Sequence, residues 1–151
     1  MDTLKFKPIF LGQSVLKYQV PLDIFTAINQ IYEQNFHNLA PANQQLVGKI
    51  EKEHSLFYHG KDQSKMKNHN FLPRNVTDYF MQVFKHYLTF NNIKDYDTHL
   101  NSIWVNEMKQ HEYNPAHVHR GMLYTGLSSV MILKLPSTYG KEYSAEHIQQ
   151  N

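Results

Sequence analysis

The spacing of apolar residues changes period near His99, and that change limits the folds open to this chain more than any other feature. After Pro21, Ile24, Phe25, Ile28, Ile31, Tyr32 and Phe36 fall on one helical face, and Val76, Phe80, Val83, Phe84, Tyr87 and Leu88 build a second. The spacing predicts one helix starting near Pro21 and another capped by Asn75, with Asp78 at its fourth position and Asn91-Asn92 as its stop. From His99 the pattern alternates: Leu100, Ser102, Trp104, Asn106 and Met108 take one side of an extended chain, and Asn101, Ile103, Val105, Glu107 and Lys109 take the other. A further strand is predicted over Met122 to Leu135, ending at Pro136. Its Leu123, Leu127, Met131, Leu133 and Leu135 share one parity and Val130 and Ile132 the other, so cover on both faces is expected. Phe6 to Leu11 and Ser14 to Val20, separated by Gly12-Gln13, read as a small hairpin or edge ribbon.

The pattern implies an α+β class and a single domain over residues 1–151, helical and mixed through residue 98 and β from 99 onward. Residues 38–67 are polar and carry no clear period, although Leu46-Val47-Gly48-Lys49-Ile50 and Leu56-Phe57-Tyr58 can supply short buried pieces. Gly60 to Asn70 reads as a solvated loop. No apolar run approaches the roughly 18 residues of a membrane helix, and the N-terminus lacks a secretory layout, so an intracellular setting is expected: the cytoplasm, or the host cytoplasm if the chain is phage-encoded. The absence of cysteine removes any disulfide framework. The net charge is +2 and the basic residues are scattered, which gives no phosphate-binding stripe and argues against nucleic acid as a partner.

The chemistry-bearing motif is Asn114-Pro115-Ala116-His117-Val118-His119, placed between the two later strands. An H-x-H spacing on extended chain aims both imidazoles to one side, and two converging neutral imidazoles suit a first-row transition metal. With ten histidines in the chain, the pair also fits a polar turn whose imidazoles are exposed or hydrogen-bonded, with no metal. His37, His54, His59, His69, His86 and His99 read as ordinary surface or half-buried histidines, Trp104 as a core anchor, and Arg120 and Gly121 as turn residues. Non-haem iron oxygenases hold Fe(II) with two His and one carboxylate, and an H-x-D/E pair supplies two of the three. Here the third letter is His.

Trp104-x-Asn106, Asn114-Pro115-x-His117-x-His119 and Leu127-Ser128-Ser129-Val130 leading through Leu133 to Pro136 together resemble the phage and bacterial Fe(II)/2-oxoglutarate-dependent oxygenases, relatives of prolyl 4-hydroxylase. Val20-Pro21 and Leu46-Val47-Gly48-Lys49-Ile50 match in the same order. The resemblance implies a double-stranded β-helix, or jelly roll, with N-terminal packing helices, incomplete at its C-terminus, whose first barrel strands occupy residues 99–151. It implies His117 as the first iron ligand, with His119 at the position usually held by Asp or Glu and His147 the one candidate beyond the pair for the distal ligand. Tyr113 and Tyr124 are the candidates for contacting 2-oxoglutarate. Neither Arg74 nor Arg120 stands where the family places the Arg that clamps this co-substrate. The implied activity is a dioxygenase that uses Fe(II) and 2-oxoglutarate to hydroxylate a small molecule or a protein side chain. The alternatives are a non-catalytic, truncated oxygenase-like or interaction module, whose unpaired edges favour homo-oligomers, and a cupin-like metal protein that does not use 2-oxoglutarate.

Overall fold

Both helices begin directly after a proline, whose ring fixes φ and cannot extend a helix backwards. Pro21 precedes α1 (Leu22–Asn35) and Pro73 precedes α2 (Arg74–Phe90), and neither helix has a side-chain cap at its start. The Asn75 cap expected from the sequence is therefore corrected. Pro73, at φ −70° and ψ 158°, is the last extended residue, its carbonyl accepts the Val76 N–H at 3.0 Å, and Asn75 lies inside the first turn. The stop is where the sequence places it. Asn92 adopts φ 59°, its N–H bonds to Thr89 O, and the Ile93 N–H bonds to Leu88 O. This left-handed closure satisfies carbonyls the helix leaves open, and asparagine tolerates it well.

The computed structural model describes residues 4–10, 14–42, 48–58, 71–117, 126–137 and 139–140, which form an α+β arrangement with two short antiparallel sheets. One sheet is the N-terminal hairpin β1 (Phe6–Phe10) and β2 (Ser14–Tyr18). It is tied to α2 by Tyr87 Oη–H donating to Ser14 O at 2.8 Å, by Tyr18 Oη against His86 Nδ1 at 2.7 Å, and by the Phe6 ring edge-on to His86. The other sheet pairs β3 (Lys52–Tyr58) with β4 (Ser102–Glu107). Among the described residues the partner of β4 is therefore β3, drawn from the stretch whose sequence shows no period.

The core lies where α1 and α2 meet this second sheet. Ile24 and Ile28 of α1, Val76, Tyr79 and Val83 of α2, Leu39, and Leu56 of β3 form one buried cluster, with Ile103 and Val105 of β4 packed against it. A bulge between Ser55 and Phe57 gives Leu56 an extra place in β3, and its side chain is fully buried.

The strand expected over Met122 to Leu135 is corrected within its described part, since residues 126–135 make no ladder there. Its alternation survives in burial. Met131 and Leu133 pack against the core cluster, whereas Val130 and Ile132 are 87% and 58% exposed, so one face is open rather than both being covered. Leu127 and Leu135, of the same parity as Met131, are also exposed, so the inward contact is confined to the middle of the segment. Gly60 to Asn70 lie outside the described residues. Among those described, no helix is long and apolar enough to cross a membrane.

Candidate functional site

The two faces of the β3–β4 sheet differ in chemistry. Antiparallel register pairs Lys52 with Glu107, Glu53 with Asn106, His54 with Val105 and Ser55 with Trp104. Paired residues share a face and successive residues alternate, so Lys52, His54, Val105 and Glu107 lie on one side and Glu53, Ser55, Trp104 and Asn106 on the other. Contacts to Tyr32 of α1 and to the helical core place the first set on the helix side. The second set faces away from the helices, yet Glu53 and Ser55 are each only 5% exposed. Trp104 belongs to this second face and is half-buried there.

On the helix side, Tyr32 Oη–H donates to Glu107 Oε1 at 2.8 Å, and the Lys52 ammonium donates to Glu107 Oε2 at 3.1 Å. Tyr32 Oη also lies 3.3 Å from His54 Nδ1, and Lys52 Nζ sits 4.9 Å over the Phe36 ring. The Tyr32 hydrogen bond holds the Glu107 carboxyl below the usual carboxylate range, and Lys52 acts in the same direction. Burial, followed by the bond to Glu107, pushes the Tyr32 phenol up, and burial pushes His54 down. A cavity of about 320 Å³ opens beside this cluster, lined by Tyr32, Glu33, Phe36, His37, Lys52 and Glu107. Both Glu107 oxygens are engaged by Tyr32 and Lys52, so the arrangement is a clamp between α1 and the sheet. Sequence reasoning missed it. Its available signal was Lys52 and His54 at alternate positions of a strand, with Tyr32 and Phe36 one helical turn apart.

On leaving β4, the chain makes a tight turn that aims the segment carrying His117. His111 takes φ 70°, and the Glu112 N–H donates to Lys109 O at 3.1 Å. The Glu112 carboxylate accepts from the Lys109 N–H at 2.7 Å and the Glu51 N–H at 2.9 Å, and these two amides hold it below the usual carboxylate range. Lys109 and Glu51 form an ion pair across the same junction. Tyr113 then bridges to Lys49 through two backbone hydrogen bonds, Lys49 N–H to Tyr113 O at 2.9 Å and Tyr113 N–H to Lys49 O at 3.2 Å. Gly48 makes the approach possible. Its φ is +133°, and a Cβ there would stand 2.8 Å from Tyr113 O and 3.3 Å from both Asn114 Cα and Pro115 Cδ.

His117 follows this anchored stretch and is exposed. Its Nδ1 lies 2.7 Å from Pro115 O, a carbonyl that can only accept, so Nδ1 carries a proton, and in the neutral ring Nε2 carries the lone pair. A backbone carbonyl fixing one imidazole nitrogen is the usual partner arrangement of a metal-ligating histidine. Tyr113 is anchored by its backbone, and the residue is 58% exposed. His119, Tyr124 and His147, together with Arg120 and Gly121, lie outside the described residues. Among those described, no group of three His, Cys, Asp or Glu side chains gathers to hold a metal ion. Comparisons with protein-family models, with curated proteins and with solved structures found no match to this chain, and the reading of the site rests on its own residues.

Proposed function

We propose that this chain is an Fe(II)- and 2-oxoglutarate-dependent dioxygenase, built on the double-stranded β-helix of the phage and bacterial family it resembles, that hydroxylates a small molecule or a protein side chain. The observation that supports this most is the hydrogen bond of His117: its Nδ1–H is directed at Pro115 O, so the neutral ring presents its lone pair at Nε2, as a metal requires. The sheet adds weight. Helices cover one face of β3–β4, while the opposite face carries Glu53, Ser55, Trp104 and Asn106, the polar lining expected of a barrel interior.

The donor chemistry fits iron at His117, with His119 and His147 as the further nitrogen ligands of the proposal. A set of neutral imidazoles carries no negative charge, so it would hold Fe(II) less tightly than a set with a carboxylate and would tolerate nitrogen-preferring metals such as Co(II) or Ni(II). When bound, Fe(II) with 2-oxoglutarate and O2 would supply the oxidation that converts a substrate C–H into C–OH, O2 being the oxidant: one of its oxygen atoms ends in the hydroxyl and the other in succinate, with release of CO2. The chain's own part is positional. The Lys49–Tyr113 bridge and the Glu112 turn hold the backbone ahead of His117, Pro115 O sets the imidazole tautomer, and the Tyr113 and Tyr124 phenols are the candidate contacts for the co-substrate.

Succinate release by the full chain with Fe(II) and 2-oxoglutarate tests the proposal. Turnover that is lost in His117→Ala and absent without 2-oxoglutarate supports it. A folded chain that holds metal but never forms succinate overturns it. If that metal binding is unaffected by 2-oxoglutarate, the result favours the cupin-like reading; no metal binding favours the non-catalytic module.

A further inference from the structure

The face of β3–β4 turned away from the helices carries two directly opposed residues, each with a buried acceptor atom left without a partner. Glu53 and Asn106 are directly opposite in the antiparallel register, so their side chains stand side by side on one face. Glu53 Oε1 and Asn106 Oδ1 are both buried and both lack a hydrogen-bond partner. Each is an acceptor when Glu53 is ionised. Leaving two buried acceptors unpaired destabilises the fold. Asn106 as a residue is half-buried, and its amide oxygen is the end shown to be buried.

We infer that Glu53 is a neutral carboxylic acid in the folded protein, that its O–H donates to Asn106 Oδ1, and that it thereby fixes the Asn106 amide with Nδ2 turned outward as the hydrogen-bond donor of this face. One proton removes both orphaned acceptors and needs no further space, which suits two adjacent side chains on a tightly paired ladder. Glu53 is a positioning residue: it acts through Asn106. The group that Nδ2 would meet is an acceptor oxygen, a carboxylate or a carbonyl, on whatever ligand lies against the face. Trp104, two residues before Asn106 on β4, stands on the same face beside it.

The charged surroundings agree. Burial raises the Glu53 pKa, and Glu112, in the turn after β4, raises it further. Lys52, His54 and Glu107 lie on the opposite face of the sheet, where Lys52 and Glu107 pair with each other. Among the described residues, no side-chain donor answers Glu53 Oε1. A raised carboxyl pKa stabilises the fold at low pH. The contribution is fully present below the unfolded value of about 4.3 and is lost as pH rises through the folded value.

The experiment is a ¹³C NMR titration of the Glu53 carboxyl in the full chain, paired with thermal unfolding against pH for wild type, Glu53→Gln and Glu53→Ala. The expected result is a Glu53 carboxyl that holds its proton well above the usual carboxylate range. Asn106 side-chain ¹H–¹⁵N resonances should shift with the same midpoint. Glu53→Gln, whose amide N–H can replace the O–H, should keep those resonances in their low-pH position and remove that step from the stability profile. Glu53→Ala should lose both the resonance position and stability. A Glu53 midpoint at or below about 4.3, or Asn106 resonances indifferent to Glu53 ionisation and to Glu53→Gln, would overturn the inference and point to an Asn106 N–H donating to an ordinary carboxylate.

Discussion

Replacing Gly48 with alanine should damage the scaffold of the His117 segment more than an ordinary loop substitution. Two effects combine. A φ of +133° is disfavoured for an L side chain, and a new Cβ would lie 2.8 Å from the carbonyl oxygen of Tyr113, closer than real Cβ atoms come to backbone. The strain alone costs about 1–2 kcal/mol. Relieving the contact moves Tyr113 away from Lys49 and weakens two backbone hydrogen bonds, each contributing about 0.5–1.5 kcal/mol. The sum is about 2–5 kcal/mol, which for a chain of this size lowers the melting temperature by roughly 4–20 °C. Gly140 is the internal control, because it has φ +86° but, among the described residues, nothing within 4 Å of the position a Cβ would take, so Gly140→Ala carries strain without the contact that Gly48→Ala makes. Urea unfolding of both variants measures the difference, and hydrogen exchange at the Lys49 and Tyr113 amides localises it. A Gly48→Ala variant no less stable than Gly140→Ala, or one whose two amides keep their protection, would refute the reasoning.

Tyr32→Phe should destabilise the protein by about 0.5–1.5 kcal/mol, at the lower end because the cluster is partly solvated. The effect should depend on pH with a definite sign: the Tyr32 bond lowers the folded pKa of Glu107, so its contribution is present above the ordinary carboxylate pKa and is lost as pH falls through the folded value. Wild-type and Tyr32→Phe unfolding free energies should therefore converge in acid. Leu56→Ala removes a side chain with no solvent exposure and should cost about 2–5 kcal/mol by urea unfolding. A loss under about 1 kcal/mol would mean that the bulge does not seat Leu56 in the core.

The two helices and β4 were legible because their burial follows one period for several turns or residues. β3 was not. It alternates charged and polar residues from Lys52 to Ser55, buries Glu53 and Ser55 as deeply as its neighbours in the core, and then breaks step at the bulge that buries Leu56. No periodicity argument recovers a strand of that kind. The side of Trp104 is a related case: alternation groups it with Ser102 and Asn106, but only the packing of Ile103 and Val105 shows which side of β4 meets the helices. His117 stood out locally. The clamp at Glu107 did not, because Tyr32 lies 75 residues away in the chain. The role of Gly48 depends equally on a distant segment, since the backbone it must accommodate is that of Tyr113 to Pro115. The hairpin, by contrast, could be read from two short extended runs with a glycine between them.

Binding of Co(II), used as an oxygen-stable probe, to the full chain by isothermal titration, with and without 2-oxoglutarate and in wild type and His117→Ala, tests the central claim most directly. The expected result is one bound metal, 2-oxoglutarate binding that requires this metal, and loss of both in a His117→Ala variant that remains folded. Metal binding that survives His117→Ala, or 2-oxoglutarate binding that ignores the metal, would contradict it.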